Sequence, residues 1–230
     1  VSQFVTGHPI TVPVIDEDNR RVDFLAVIQT AITLGYHSVM IDGSRLSLDD
    51  NIAATRQVAD LAHAAGIPCE AELGAVLGHE SGPLPPYDEL FATGRGFTRP
   101  DEAERFVPAS GCDWLSVAVG SIHGAISGAL KDQKKVEARL NLDHLDHLRA
   151  VTGIPLVLHG GSGVRQADVL AAFKRGIAKI NIGSEIRQAY EQQQRATGRI
   201  AAAQDAVYQR TTELIRDELG VTGSRAQLVR

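Results

Sequence analysis

Cysteine is nearly absent from this chain of 230 residues, with only Cys69 and Cys112. A disulfide-stapled secreted domain needs a dense set of cysteines, so that class is excluded. Two thiols far apart in sequence are read as reduced groups in a cytoplasmic protein. Long apolar runs are also missing, and none approaches the length that spans a bilayer. The first residues lack the charged-then-apolar layout of a secretory signal. There is no surplus of positive charge either: 23 Lys and Arg stand against 28 Asp and Glu, a net charge of −5. A general nucleic-acid footprint is therefore absent, and the scattered arginines near the end are too few to make one. Neither a membrane nor a nucleic acid is an expected partner.

What is present is ordinary for a globular protein, at 43% hydrophobic and 22% charged residues. This length supports one sizeable core, and no linker or repeat divides it, so one domain is expected over 1–230. Short apolar runs bounded by turn signals predict six strands, at 11–15, 38–42, 67–73, 114–119, 154–158 and 178–182. Helical periodicity lies between them, at 22–34, 48–65, 143–151 and 167–174. A further helix is expected from Thr98 as N-cap, followed by acids in its first turn. Residues 185–219 read as helical, in two pieces broken near Gly198. Strands alternating with helices mean a parallel sheet and an α/β fold. The pattern breaks over 74–96, where glycines and a proline cluster leave no sustained period. A loop of that length is expected to be a mobile active-site loop.

Parallel strands bring their C-terminal ends to one face. Here those ends carry Asp16, Asp18 and Asn19; Asp42; Glu70 and Glu72; His123; His159; and Asn181 with Ser184. Two histidines from separate strands, with oxygen donors beside them, suit a divalent transition metal, most simply zinc. The backbone of Gly160, Gly161 and Ser162, with Gly183 and Ser184, could cradle a phosphate. The chemistry implied is metal-polarised carbonyl chemistry on a phosphorylated small molecule. Each residue also has a plainer role open to it. Asp42 could cap the turn after its strand, Glu72 could be half of an ion pair, and glycine loops also serve tight turns. His8, His37, His63, His79, His144 and His147 have helix-face or loop contexts and are read as structural or solvent-exposed. Lys131, Lys134 and Lys135 are read as a solvated face.

Six stretches together resemble the class II, zinc-dependent ketose-bisphosphate aldolases, the family of fructose- and tagatose-bisphosphate enzymes. They are 38–44 (Ser-Val-Met-Ile-Asp-Gly-Ser), Asn51-Ile52, 70–74 (Glu-Ala-Glu-Leu-Gly), 117–124 (Val-Ala-Val-Gly-Ser-Ile-His-Gly), 155–163 (Pro-Leu-Val-Leu-His-Gly-Gly-Ser-Gly) and 179–185 (Lys-Ile-Asn-Ile-Gly-Ser-Glu). The resemblance implies a TIM-type (β/α)8 barrel with its site at the C-terminal face. It implies that His123 and His159 are two of three zinc ligands, with Asp42 and Glu72 at a second site for a divalent or monovalent cation. Gly124, Gly160, Gly161 and Ser162, with Asn181, Ile182, Gly183 and Ser184, would hold the phosphate and the enediolate of dihydroxyacetone phosphate. Glu80, in the long loop, would move protons. A homo-oligomer, a cytoplasmic setting and a place in carbohydrate metabolism such as glycolysis follow from the same resemblance.

Two departures stand out. The family's third zinc ligand and its catalytic acid come from a His-x-Asp-His stretch, and the matching residues here are Asp16, Glu17, Asp18 and Asn19. Asp18 keeps the acid position, for proton transfer to the aldehyde oxygen. Asn19 stands where the zinc histidine belongs, beside the substrate. The family also has two more βα units before that strand, so about six units of the barrel are expected. The expected activity is aldol cleavage and condensation of a ketose bisphosphate, an aldehyde-lyase reaction. The alternative is a catalytically impaired or inactive phosphate-binding homologue or fragment. A metal-free phosphate-binding barrel is a third reading, but it gives no reason to gather the histidines and glutamates.

Overall fold

The computed structural model describes residues 22–76, 85–122, 137–224 and 226. Five strands form one sheet in chain order: β1 (Val39–Asp42), β2 (Cys69–Leu73), β3 (Trp114–Val117), β4 (Leu156–Leu158) and β5 (Ile177–Ile180). Every neighbouring pair is parallel. Parallel pairing forces the chain to cross back between strands, and helices do this. They are α1 (Phe24–Thr33), α2 (Leu48–Ala64), α3 (Tyr87–Thr93), α4 (Pro100–Ser110), α5 (Leu142–Thr152), α6 (Gln166–Phe173), α7 (Ser184–Thr197) and α8 (Ile200–Glu213). A π-helical turn, Leu214–Glu218, follows α8. The strand order never reverses. A doubly wound sheet would reverse at a switch point, so the order is that of a barrel wall. Among the described residues β1 and β5 each pair on one side only, as in a partial barrel. The sixth expected strand, at 11–15, lies outside the described residues.

Odd and even strand positions divide the sheet into two faces. Val39, Ile41, Cys69, Ala71, Leu115, Val117, Leu156 and Leu158 are buried in the core cluster, together with Val58 and Ala62 of α2, Phe106 of α4, and Leu145 and Leu148 of α5. Local capping starts three of the helices. Asp23 accepts the Ala26 N–H at 3.0 Å, Ser47 the Asp50 N–H at 3.2 Å, and Asn141 the His144 N–H at 3.0 Å. Each such cap contributes about 1 kcal/mol.

The structure corrects two local expectations. Thr98 does not cap α4; Arg99 holds that position without a side-chain cap, and Pro100 opens the helix, where its missing N–H is harmless. The Thr98 hydroxyl instead donates to the Leu73 carbonyl and accepts the Ala118 N–H at 2.8 Å. The span 74–96 also holds an element the pattern did not announce, since α3 occupies part of it. Its seven residues are too few to show a period. What fixes it is Tyr87, whose hydroxyl lies 3.1 Å from the carbonyl oxygens of both Gly120 and Arg139. The expected break between α7 and α8 is present, with Gly198 at φ +66°.

Candidate functional site

The strand registers build the site. Asp42 is level with Glu72, Glu72 with Ser116, Ser116 with Val157 and Val157 with Lys179. Glu70 lies two residues before Glu72, His159 two after Val157, and Asn181 two after Lys179. Period-two alternation therefore aims all of them to the side opposite the core. Asp42, Glu70, His159, Gly160, Ser162, Lys179, Asn181, Gly183 and Ser184 line one cleft of about 840 Å³.

His159 is the centre of a buried charge network. Its Nε2 lies 3.0 Å from Glu70 Oε1, and its Nδ1 lies 2.8 Å from Glu72 Oε2. Lys179 donates to the other Glu70 oxygen at 2.6 Å. His159, Glu70 and Glu72 are 4%, 2% and 3% exposed, so their charges persist only because they are paired. Burial opposes charge on His159, but hydrogen bonds to Glu70 and Glu72, and the charges of both, raise its pKa to about 9. Burial likewise pushes the Glu70 carboxyl up, yet hydrogen bonds from His159 and Lys179 outweigh it and hold that carboxyl below its ordinary value. Glu72 goes the other way: burial dominates, Asp42 and Glu70 add to it, and its pKa is raised.

Three buried side-chain oxygens among the described residues, Glu72 Oε2, Ser116 Oγ and Ser121 Oγ, lack a well-aligned hydrogen bond. Glu72 Oε2 has its ion pair with His159 Nδ1, at 2.8 Å. An imidazole nitrogen and a carboxylate oxygen facing each other in this way are a donor pair suited to a divalent metal. The donor types fit the expectation, His159 for zinc and Glu72, with Asp42, for a second cation. Among the described residues no group of three or more His, Cys, Asp or Glu is arranged to hold a metal ion. His123, Asp16, Asp18 and Asn19, where further ligands are expected, lie outside the described residues, as do Gly124, Glu80, Lys131, Lys134 and Lys135. Asp42 does what its plainer reading requires: its Oδ1 accepts the Ser44 N–H at 3.0 Å, while its side chain borders the cleft.

The glycine loop after β4 is built for close approach. Gly160 has φ +66°, and a Cβ there would come within 2.9 Å of the Ile122 carbonyl oxygen. A Cβ on Gly161 would meet Ile180 Cγ1 at 2.6 Å. The Gly161 N–H is committed to the Asn181 carbonyl at 3.0 Å, so this residue supplies shape rather than a donor. Gly183 is different, because a Cβ there would meet nothing within 4 Å. Gly183 precedes the first turn of α7, whose N–H groups favour an anion. Beside the cleft-lining residues, Gly161 and Ile182 are their immediate neighbours in the chain.

Three contributors escape a reading of the strand ends alone. Glu70 belongs to the strand-end cluster, yet its tie to His159 shows only in the register. Lys179 lies in a motif, but nothing local shows its partner to be 109 residues away. Asn51 donates to the Glu72 carbonyl at 2.9 Å from inside α2. In the sequence Asn51, directly after the first-turn acids Asp49 and Asp50, was visible only as part of the Asn51-Ile52 stretch.

Known proteins share this chain's pattern. The family model described as fructose-bisphosphate aldolase class-II matches residues 17–225. The uncharacterized protein YdjI of Escherichia coli K12 is 42% identical over 180 residues, covering 78% of this chain and 59% of that protein. The fructose-bisphosphate aldolase of Geobacillus stearothermophilus is 37% identical over 181 residues, covering 79% of this chain and 58% of that protein. This chain thus spans under two thirds of the length of these curated relatives. The crystal structure of the YdjI aldolase superposes with a TM-score of 0.69 at 33% identity, over 86% of this chain and 67% of that one. The structure of a putative fructose-1,6-bisphosphate aldolase from Coccidioides immitis gives 0.68 at 28% identity, over 89% and 70%.

Proposed function

This chain belongs to the class II fructose-bisphosphate aldolase family, and from that membership we propose that it takes part in metal-dependent aldol cleavage and condensation of a ketose bisphosphate through dihydroxyacetone phosphate. One observation carries the reading. His159, with Glu72 at its Nδ1, opens on the same cleft as Gly160, Ser162, Gly183 and Ser184. An imidazole suited to a metal and a glycine loop suited to an anion thus face one cleft.

His159 and His123 would hold zinc, with Asp42 and Glu72 near a second cation. Zinc, when bound, supplies Lewis acidity to the carbonyl and hydroxyl oxygens of the substrate. Gly160, Ser162, Gly183, Ser184 and Gly124 bind and orient the phosphate. Asn181 and Asn19 flank the carbon skeleton. Asp18 exchanges a proton with the aldehyde oxygen, and Glu80 moves the proton of the carbon beside the carbonyl. Glu70 fixes the imidazole ring from its far nitrogen, the usual office of an outer carboxylate. The setting is carbohydrate metabolism in the cytoplasm, and the active form is a homo-oligomer.

The test is cleavage of fructose and tagatose bisphosphates by the chain with added zinc. His159→Ala abolishes cleavage. His144→Ala leaves it unchanged, because that ring is held by the Thr98 carbonyl at 2.7 Å, away from the cleft. No cleavage by the unaltered chain overturns the proposal. Asn19 favours a rival, a phosphate-binding relative without activity, since a neutral amide is a poor zinc ligand. Elemental analysis of the chain beside Asn19→His separates them: about one zinc in the unaltered chain supports the enzyme, and zinc in the variant alone supports the rival.

A further inference from the structure

The C-terminal helices reach the glycine loop through one ion cluster. Glu185, in the first turn of α7, accepts the Gly163 N–H at 2.8 Å with its Oε1. Its Oε2 is held by Arg210 of α8. The same guanidinium reaches Glu218 at 2.7 Å and Glu213 at 3.3 Å. A second tie runs between the same segments: Gln166, three residues past Gly163, donates to the carbonyls of Glu218 at 2.7 Å and Asp217 at 3.2 Å. The π-helical turn at Leu214–Glu218 is thus fastened on both sides, to Arg210 and to the residue that opens α6.

This geometry is more than a surface ion pair. Arg210 and Glu185 are 28% and 24% exposed at the side chain, and Glu185 spends its other oxygen on the backbone of the loop. Gly163 N–H would otherwise face a carboxylate free to rotate. The Gly163 carbonyl in turn accepts the Ala138 N–H at 2.9 Å, so the peptides on both sides of Gly163 are anchored. A forked guanidinium fixes the plane of the carboxylate it meets. π-Helical turns recur at functional sites.

We propose that Arg210 is a positioning residue for the anion-binding loop, acting through Glu185 on the Gly163 peptide, so that the C-terminal helix pair sets the shape of the phosphate grip. The phosphate part rests on the function proposed above; the effect on the loop does not. Arg210 touches no substrate. Its work is to hold Glu185 in the rotamer that pins Gly163.

The experiment uses the full chain and four proteins: unaltered, Arg210→Ala, Arg210→Lys and Glu185→Gln. Arg175→Ala serves as a stability control, because Arg175 ties the Leu142 carbonyl and Asp146 on the outer helices. Amide hydrogen exchange is read over 160–163, and inorganic phosphate binding is measured by calorimetry. Arg210→Ala and Glu185→Gln speed exchange at 160–163 and weaken phosphate binding by about tenfold. Arg210→Lys restores part of both, since charge returns without the fork. Arg175→Ala lowers the unfolding temperature but changes neither readout. Exchange and phosphate affinity in Arg210→Ala that match the Arg175→Ala control would overturn the inference. An unaltered chain that binds no phosphate counts against the substrate reading, and the exchange at 160–163 then decides the inference alone.

Discussion

Lys179 Nζ lies 2.6 Å from Oε2 of Glu70, on the carboxylate whose other oxygen meets the His159 ring. Lysine, glutamate and histidine form a line across three strands, and the glutamate is buried in the middle. Removing the charge of Glu70 leaves the His159 ring without its far anchor and Lys179 without a partner. Glu70→Gln keeps the volume and should weaken zinc binding by about 10- to 100-fold, the usual cost of losing an outer carboxylate. Competition against a chelating dye measures this directly. Lys179→Met should have a smaller effect in the same direction, because burial then competes with one hydrogen bond instead of two. Equal zinc affinity in Glu70→Gln and the unaltered chain would remove Glu70 from the site.

The His159 network makes stability depend on pH in one direction. The folded-state pKa is raised from 6.5 to about 9. A raised histidine stabilises fully below its unfolded value and loses that contribution as pH climbs through the folded one. The metal-free chain should therefore lose stability between pH 7 and pH 9. Thermal unfolding in the presence of a chelator, compared at pH 6.5 and pH 9, checks this. His159→Gln should flatten the difference. The same protonation predicts that zinc uptake at pH 7 releases a proton, since a ligand imidazole must be neutral. Calorimetry in two buffers of unlike ionisation enthalpy counts that proton.

Much of this was readable along the chain. β1 to β5, the helices between them other than α3, and the break at Gly198 follow from apolar period and glycine placement, which are local signals. His159 and the glycines after it were readable too, because a strand end followed by a glycine loop is a contiguous pattern. The rest depends on pairing between distant residues. Glu70 and Lys179 meet only because β2 and β5 face one interior across the curved sheet. Arg210 meets Glu185 only because α7 and α8 fold back on each other. Thr98 was misplaced since a threonine before a helix has two uses for its hydroxyl, and only the packing of β2 against β3 decides which.

Gly160 and Gly183 should respond differently to the same change. At Gly160 an added methyl meets the Ile122 carbonyl and demands a left-handed backbone. Gly160→Ala should cost about 1–3 kcal/mol of stability. Gly183 has φ −125° and open space for a Cβ, so Gly183→Ala should fold normally. Its methyl would stand in the cleft, and phosphate affinity should fall without a change in unfolding temperature. Chemical denaturation and phosphate calorimetry on both variants separate the loop's shape from its contacts. A Gly183→Ala chain that unfolds early would mean the open space is filled by other parts of the protein.

Thr98 tests how firmly the ends of the strands are joined beneath the site. It is fully buried, its hydroxyl donates to the Leu73 carbonyl and accepts the Ala118 N–H, and its own N–H reaches the Ala118 carbonyl at 3.0 Å. One side chain thus satisfies the backbone where β2 and β3 stop pairing. Thr98→Val keeps the shape and removes the hydroxyl, leaving a buried carbonyl and a buried N–H unpaired. That should cost about 1–3 kcal/mol, seen as a shift in the denaturant midpoint at constant slope. Thr98→Ser retains the hydroxyl and should recover most of the loss. Because Leu73 follows Glu72 directly, Thr98→Val should also loosen Glu72 and reduce zinc affinity modestly, whereas Thr98→Ser should not. A valine variant as stable as the parent would show that the two backbone groups find other partners, and the strand ends would then owe their spacing to packing alone.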